Sequence, residues 1–155
     1  MDFDFSDDQQ QLRDAVAKWV ERAYGFDRRR AIAKSGGFDR GAWNELAELG
    51  LTGLYVPEAD GGLGLTPVDG MVVMEELGRG LVAEPLPQAL IAGAILGQHA
   101  DAALREQWLP RVATGEALVV LAHQERRARH RLDVCDTRAA GGDAGWTLTG
   151  TKHLV

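Results

Sequence analysis

Residues 56–69, VPEADGGLGLTPVD, hold three glycines within four positions, at the junction of an apolar run and a helix-like one. Backbone amides exposed by such a turn can cradle phosphate. A dinucleotide fingerprint needs a third glycine after Gly62-Leu63-Gly64, and Pro67 stands there. The segments after Pro67 read as helix, so the strand that a βαβ unit requires is missing. The lysine-bearing phosphate loop fails too, because no Gly-Lys-Ser/Thr occurs. The loop is therefore read as a corner in which glycine permits positive φ and close approach of helices.

Other chemically capable residues form no site by spacing. His99, His123, His130 and His153 lack metal-ligand intervals. Glu75 and Glu76 are neighbours, but adjacent helical positions diverge by about a hundred degrees. Asp133 and Asp136 have no identifiable partner, and no nucleophile–base pair emerges. The run ERRARHR, Glu125 to Arg131, is densely basic. A solvated loop is the ordinary reading; an anion-contacting loop or subunit interface is the functional one. Trp43, Trp108 and Trp146 sit among apolar neighbours and are read as core.

Composition bounds the partners. The 155 residues are 45% hydrophobic, enough to bury a core. Lys and Arg number 17 against 23 Asp and Glu, for a net charge of -6. That balance argues against nucleic acid and leaves room for an anionic small molecule at a local cationic spot. Cys135 is the sole cysteine, which excludes an intrachain disulfide and points to the cytoplasm. The start, MDFDFSDDQQ, is acidic and has no apolar segment, unlike a signal peptide. The run LPQALIAGAILG is too short to span a bilayer.

The elements that must position these residues are mostly helical. Ser6 and Gln9 form a capping-box pattern ahead of Leu12, Ala15, Val16, Trp19, Val20 and Ala23, predicting a helix over 7–23. A shorter helix is predicted over 27–35, ended by Gly36-Gly37. Asp39 caps a third that stops at Gly50, and Thr66-Pro67 opens a fourth running toward Gly78. Pro85 and Pro87 open a fifth, and Asp101 caps a sixth that continues past Pro110 to Gly115. Beyond Gly115, ALVVLAHQ reads as a short β-rich run. WTLTGTKHLV reads as a hairpin with a central glycine, entered through the turn GGDAG. The expectation is a mainly α chain with a helical domain at 1–115 and the start of a β domain at 116–155.

The order of these segments is more telling than any one of them. DFSDDQQQLRDAVAKWV, WNELAELGLTGLYVPEADGGLGL, MEELGRGL, LREQWLPRVATGE and GWTLTGTK resemble, in that order, the acyl-CoA dehydrogenase family. The resemblance implies an N-terminal helical domain followed by the first strands of a middle β-barrel domain. It implies that a base removes the α proton of an acyl-CoA thioester while the β-hydride passes to flavin N5, giving a trans-2-enoyl-CoA of fatty acid metabolism. Hydrogen bonds to the thioester carbonyl stabilise the enolate-like charge. The usual base is a carboxylate of a C-terminal helical bundle, so no catalytic residue is assigned here. The implied cofactor is FAD. The implied partners are an acyl-CoA substrate, an electron-transferring flavoprotein and further subunits of a homo- or hetero-oligomer, dimer or tetramer.

Residue by residue, the resemblance places cofactor-binding positions at Ala122, His123, Gln124, Glu125, His130 and Leu154. The family's Thr-Glu-Pro becomes Gln124-Glu125-Arg126, and its following Gly-Ser becomes Arg129-His130. Leu154 stands where the family has the Trp of a Trp-Ile-Thr contact. Gln124 retains the capacity to hydrogen-bond the flavin pyrimidine edge. The resemblance implies that the fifth helix lines the acyl pocket, with wall positions at Ala89, Leu90 and Gly93. The departures resemble the small subunit of pimeloyl-CoA-type dehydrogenases, and diverged chains of heteromeric enzymes acting on sterol or ring-cleavage acyl-CoAs. The chain is then either an active flavoenzyme chain or a non-catalytic partner subunit.

Overall fold

The computed structural model describes residues 4–129, 131–143 and 145–154. It divides into two units, Met1–Val119 and Val120–Val155.

The first unit is helical, and its local signals are sequence-encoded. α1 (Asp7–Ala23) starts at a capping box, in which Gln9 N donates to Ser6 Oγ at 3.2 Å and Ser6 N to Gln9 Oε1 at 3.1 Å. After α2 (Phe26–Lys34), the Asp39 carboxylate accepts from Gly41 N and Ala42 N, each at 3.2 Å, and opens α3 (Arg40–Glu48). α4 (Pro67–Arg79) has proline at its first position, and Thr66 N donates to Asp69 Oδ2 at 2.8 Å. α5 (Leu86–His99) and α6 (Ala102–Ala113) follow, the latter capped by Asp101, whose Oδ1 accepts from Leu104 N at 2.9 Å. No described helix is long and apolar enough to cross a membrane.

These helices close on a core that includes Val16, Trp19, Trp43, Leu46, Leu51, Leu54, Val73 and Leu86. Burying such side chains is the main favourable term in folding. Two of the polar groups taken inside are matched to backbone carbonyls: Trp43 Nε1 donates to Gly115 O at 2.9 Å, and Thr52 Oγ1 to Ala113 O at 2.8 Å. At the half-exposed edge, Arg28 donates to both Glu45 oxygens at 2.9 Å and to Asp39 Oδ2 at 3.0 Å, while Trp19 Nε1 donates to Glu45 at 2.8 Å. One cation thereby ties α1, α2 and α3 together.

The glycine corner is a corner. LTGLYV forms a 3₁₀ turn at Leu51–Gly53 and no strand, and a second such turn lies at Glu58–Asp60. Gly62 N donates to Pro57 O at 3.1 Å, Leu63 N to Gly53 O at 3.0 Å, Gly64 N to Val56 O at 2.8 Å and Leu65 N to Leu54 O at 2.8 Å. The amides that a phosphate would need are already donated within the loop. A Cβ on Gly62 would stand 2.2 Å from Val56 O, so the position admits glycine alone without a shift of backbone.

The second unit departs from expectation in three places. ALVVLAHQ forms no strand; a strand exists only through its ladder, and among the described residues this run makes only isolated backbone bonds to other segments, Ala117 N to Arg111 O and His153 N to Gln124 O, each at 2.9 Å. The hairpin instead pairs β1 (Arg138–Gly142) with β2 (Gly145–Thr149), antiparallel, with Gly141 opposite Trp146. The chain reverses between the paired Gly142 and Gly145, and Gly150 lies beyond the ladder. Trp146 is not core but 78% exposed, because both faces of the two-stranded sheet are open. Trp43 is buried and Trp108 half-buried.

Candidate functional site

Glu125 organises the second unit. Its side chain is 5% exposed, the deepest carboxylate in a unit whose other residues are almost all open. One oxygen accepts from Lys152 Nζ at 2.8 Å, Thr137 Oγ1 at 2.6 Å and Thr137 N at 3.0 Å; the other accepts a short bond from Asp136 N. Cys135 Sγ approaches the first oxygen at 3.4 Å. Lys152, the Thr137 hydroxyl and the Asp136 and Thr137 amides hold the Glu125 carboxyl well below the usual carboxylate range. That carboxylate in turn pushes Lys152 up. Fully engaged in this way, the Glu125 side chain is a brace that fixes the chain around it.

The brace joins two segments distant in sequence. Lys152 Nζ reaches Glu125 across 27 positions and also reaches His123 O at 3.5 Å, while His153 N closes on Gln124 O. Between the segments opens a cavity of about 460 Å³ lined by Gln124, Glu125, Arg126, Arg129, His153 and Leu154. Three of the sequence-predicted cofactor positions, Gln124, Glu125 and Leu154, therefore meet at one cavity. Ala122 and His123 are exposed just before it, and His130 lies outside the described residues. Lys152 and Thr137 are not singled out by sequence, and His153 is considered there only as a metal ligand; no spacing rule links the three to residue 125.

The basic run is not uniform. Arg127 pairs with Asp136 and Arg131 with Asp133, both bidentate in form. Arg126 and Arg129, which line the cavity, have no side-chain partner among the described residues. Arg129 holds φ +53, a conformation in which glycine is at ease and arginine is strained. The position at which the resemblance expects glycine thus has a left-handed backbone while carrying a cation. The cavity sets a neutral amide, which can both donate and accept hydrogen bonds, beside two guanidiniums that can meet an anionic group.

The positions expected to wall an acyl pocket lie elsewhere. Ala89 and Leu90 are 1% and 3% exposed within the helical core. Gly93 is buried, and a Cβ added there would touch Val112 Cγ1 and Val56 Cγ2 at 3.6 Å. The open stripe of α5 runs through Pro87, Gln88, Ile91, Ile95 and Gln98.

Comparison with known proteins agrees with the helical architecture. The family model "Acyl-CoA dehydrogenase, N-terminal domain" matches residues 6–116. Benzylmalonyl-CoA dehydrogenase of Aromatoleum aromaticum is 28% identical over the whole of this chain and 42% of its own length. A solved steroid ACAD, Tcur3481-Tcur3483, superposes with a TM-score of 0.85 at 31% identity, over 94% of this chain and 40% of that one. The ChsE4-ChsE5 complex of Mycobacterium tuberculosis superposes at 0.84 with 25% identity, over 98% of this chain and 41% of that one. The chain spans about two fifths of the length of these relatives. Because that family model matches residues 6–116, which take in all six described helices and the glycine corner, the chain belongs to the acyl-CoA dehydrogenase family.

Proposed function

We propose that the protein carrying this chain is a flavin-dependent acyl-CoA dehydrogenase that introduces a trans-2,3 double bond into an acyl-CoA thioester. Residues 1–115 serve as its N-terminal helical domain and residues from 116 open its middle β-barrel domain. FAD, when bound, supplies the hydride acceptor. The observation that carries the reading is the cavity at Gln124, Arg126, Arg129, His153 and Leu154, in a chain of this family. Gln124 would hold the flavin ring edge through its amide, with Ala122 and His123 beside it, and His130 is kept as a cofactor position on the resemblance alone. Glu125 would act through its brace, keeping residues 123–126 against 152–154. The catalytic base belongs to a later helical bundle, and electrons leave to an electron-transferring flavoprotein. Ala89, Leu90 and Gly93 are retained as wall positions for the acyl tail.

A second reading has its own observation. Arginines replace the family's Pro and Gly at residues 126 and 129, and ChsE4-ChsE5 is a complex of two named chains. The chain would then be the non-catalytic subunit of a hetero-oligomer whose other chain supplies flavin and base. An absorbance spectrum of the purified protein, alone and with a co-expressed homologous chain, separates the two. Flavin bands in the protein alone, weakened in Gln124→Ala, support the active chain. Bands only with the partner support the second reading; a colourless protein that takes up no FAD in either state defeats the first. For the acyl wall, Gly93→Leu in a folded, flavin-replete protein should lower kcat/KM on long acyl-CoAs more than on short ones. A uniform change across chain lengths removes the wall assignment.

A further inference from the structure

We propose that Arg126 and Arg129 form an anion clamp for a pyrophosphate-bearing nucleotide, resting on the reading of this cavity as a cofactor site. Four arginines lie within six residues, 126–131. The two that point to carboxylates, Arg127 and Arg131, are spent on Asp136 and Asp133 at exposed positions. The two that line the cavity are not neutralised by any described side chain. The cavity's one carboxylate, Glu125, is itself consumed by Lys152, Thr137 and Asp136 N. The net field inside is therefore positive, although the whole chain carries -6.

Arg129 sharpens the assignment. A residue held at φ +53 is under backbone strain that glycine would relieve, so its guanidinium is placed at a conformational cost. Guanidinium presents planar paired donors that match phosphate oxygens, and two of them match the two charges of a pyrophosphate. The neighbouring neutral amide of Gln124 and the imidazole of His153 supply hydrogen-bonding groups for the heterocyclic or sugar portion of the same ligand. Pyrophosphate is common to FAD and to coenzyme A, and the clamp would recognise that group in either.

The test is calorimetric titration of the purified protein with FAD, with coenzyme A and with inorganic pyrophosphate, at two salt concentrations. Arg126→Gln and Arg129→Gln should each weaken binding by about tenfold or more, the usual scale for losing a charge-assisted bond. The double variant should lose it, and wild-type affinity should fall with salt. Arg126→Lys should recover part of the loss, because charge without the planar fork is the lesser donor. Arg127→Gln, engaged with Asp136, should stay within about twofold of wild type. Circular dichroism of each variant checks that the fold is kept. Binding of FAD alone identifies the dinucleotide as the source; binding of coenzyme A alone identifies the substrate carrier. Inorganic pyrophosphate binding without either nucleotide sustains the clamp and defeats the flavoenzyme reading. A folded double variant that binds FAD or coenzyme A as tightly as wild type overturns the clamp and leaves the flavoenzyme reading standing. No binding of any of the three by wild type overturns it as well.

Discussion

In the helical unit Trp43, Leu46, Leu51, Leu54, Val73 and Leu86 are each 1% exposed or less. In the second unit, the buried described residues are Glu125 and Ala128. The first is held by dehydrated apolar surface, the second by a carboxylate that collects five donors from residues 135–152. A two-stranded hairpin with both faces open is marginal by itself. The contrast teaches that the two units respond to different insults: volume changes in one, charge and pH in the other.

The largest effect should follow Trp43→Ala. It empties a fully buried site and leaves Gly115 O with Arg40 Nη1 as its remaining donor, and a loss of about 3–5 kcal/mol is expected in urea unfolding followed by helical circular dichroism. Amide exchange in the hairpin should change little; equal loosening of both units would break the comparison. Gly62→Ala comes next. Its methyl would meet Val56 O at 2.2 Å, and about 1–3 kcal/mol should be lost in the same unfolding measurement. A wild-type midpoint would show the corner to be pliant.

Smaller, and of opposite sign, Arg129→Gly should gain about 1 kcal/mol by removing strain at φ +53. Exchange rates of the neighbouring amides, read by mass spectrometry, should slow; faster exchange would mean that the guanidinium itself holds the loop. The smallest effect on the global unfolding midpoint should come from Glu125→Gln, yet it should selectively accelerate exchange at Asp136, Thr137 and His153. The pH dependence has a definite sign. Lys152 and the other donors lower the folded-state pKa of Glu125, so the brace is complete above the ordinary glutamate range and is lost as pH falls through that range toward the depressed folded value. Acid should therefore release these three amides before it unfolds the helices; simultaneous release would sink the two-unit picture.

Local signals made the helical unit readable. Ser6 with Gln9, Asp39, Thr66-Pro67 and Asp101 each satisfy the first-turn amides from within a few residues. Strands carry no such local closure. RAAGG has no alternation to announce β1, which exists because β2 lies opposite it. ALVVLAHQ has the β-rich composition and lacks the ladder. Trp146 looked like core because its neighbours in sequence are apolar, whereas burial depends on neighbours in space.

For the site, resemblance picked out Gln124, Glu125 and Leu154, and the fold brought them to one cavity. Sequence had no means of dividing ERRARHR into arginines that are neutralised and arginines that are not. That division depends on where Asp133 and Asp136 fall once the chain turns back, nor could it show that Glu125 is spent on Lys152. What sequence alone determined was helix position, capping and family, because hydrogen bonds within one turn and apolar periodicity are properties of consecutive residues. Which charges remain free, and which side of α5 is covered, only the tertiary structure decided, because electrostatic pairing and burial act through distance in space.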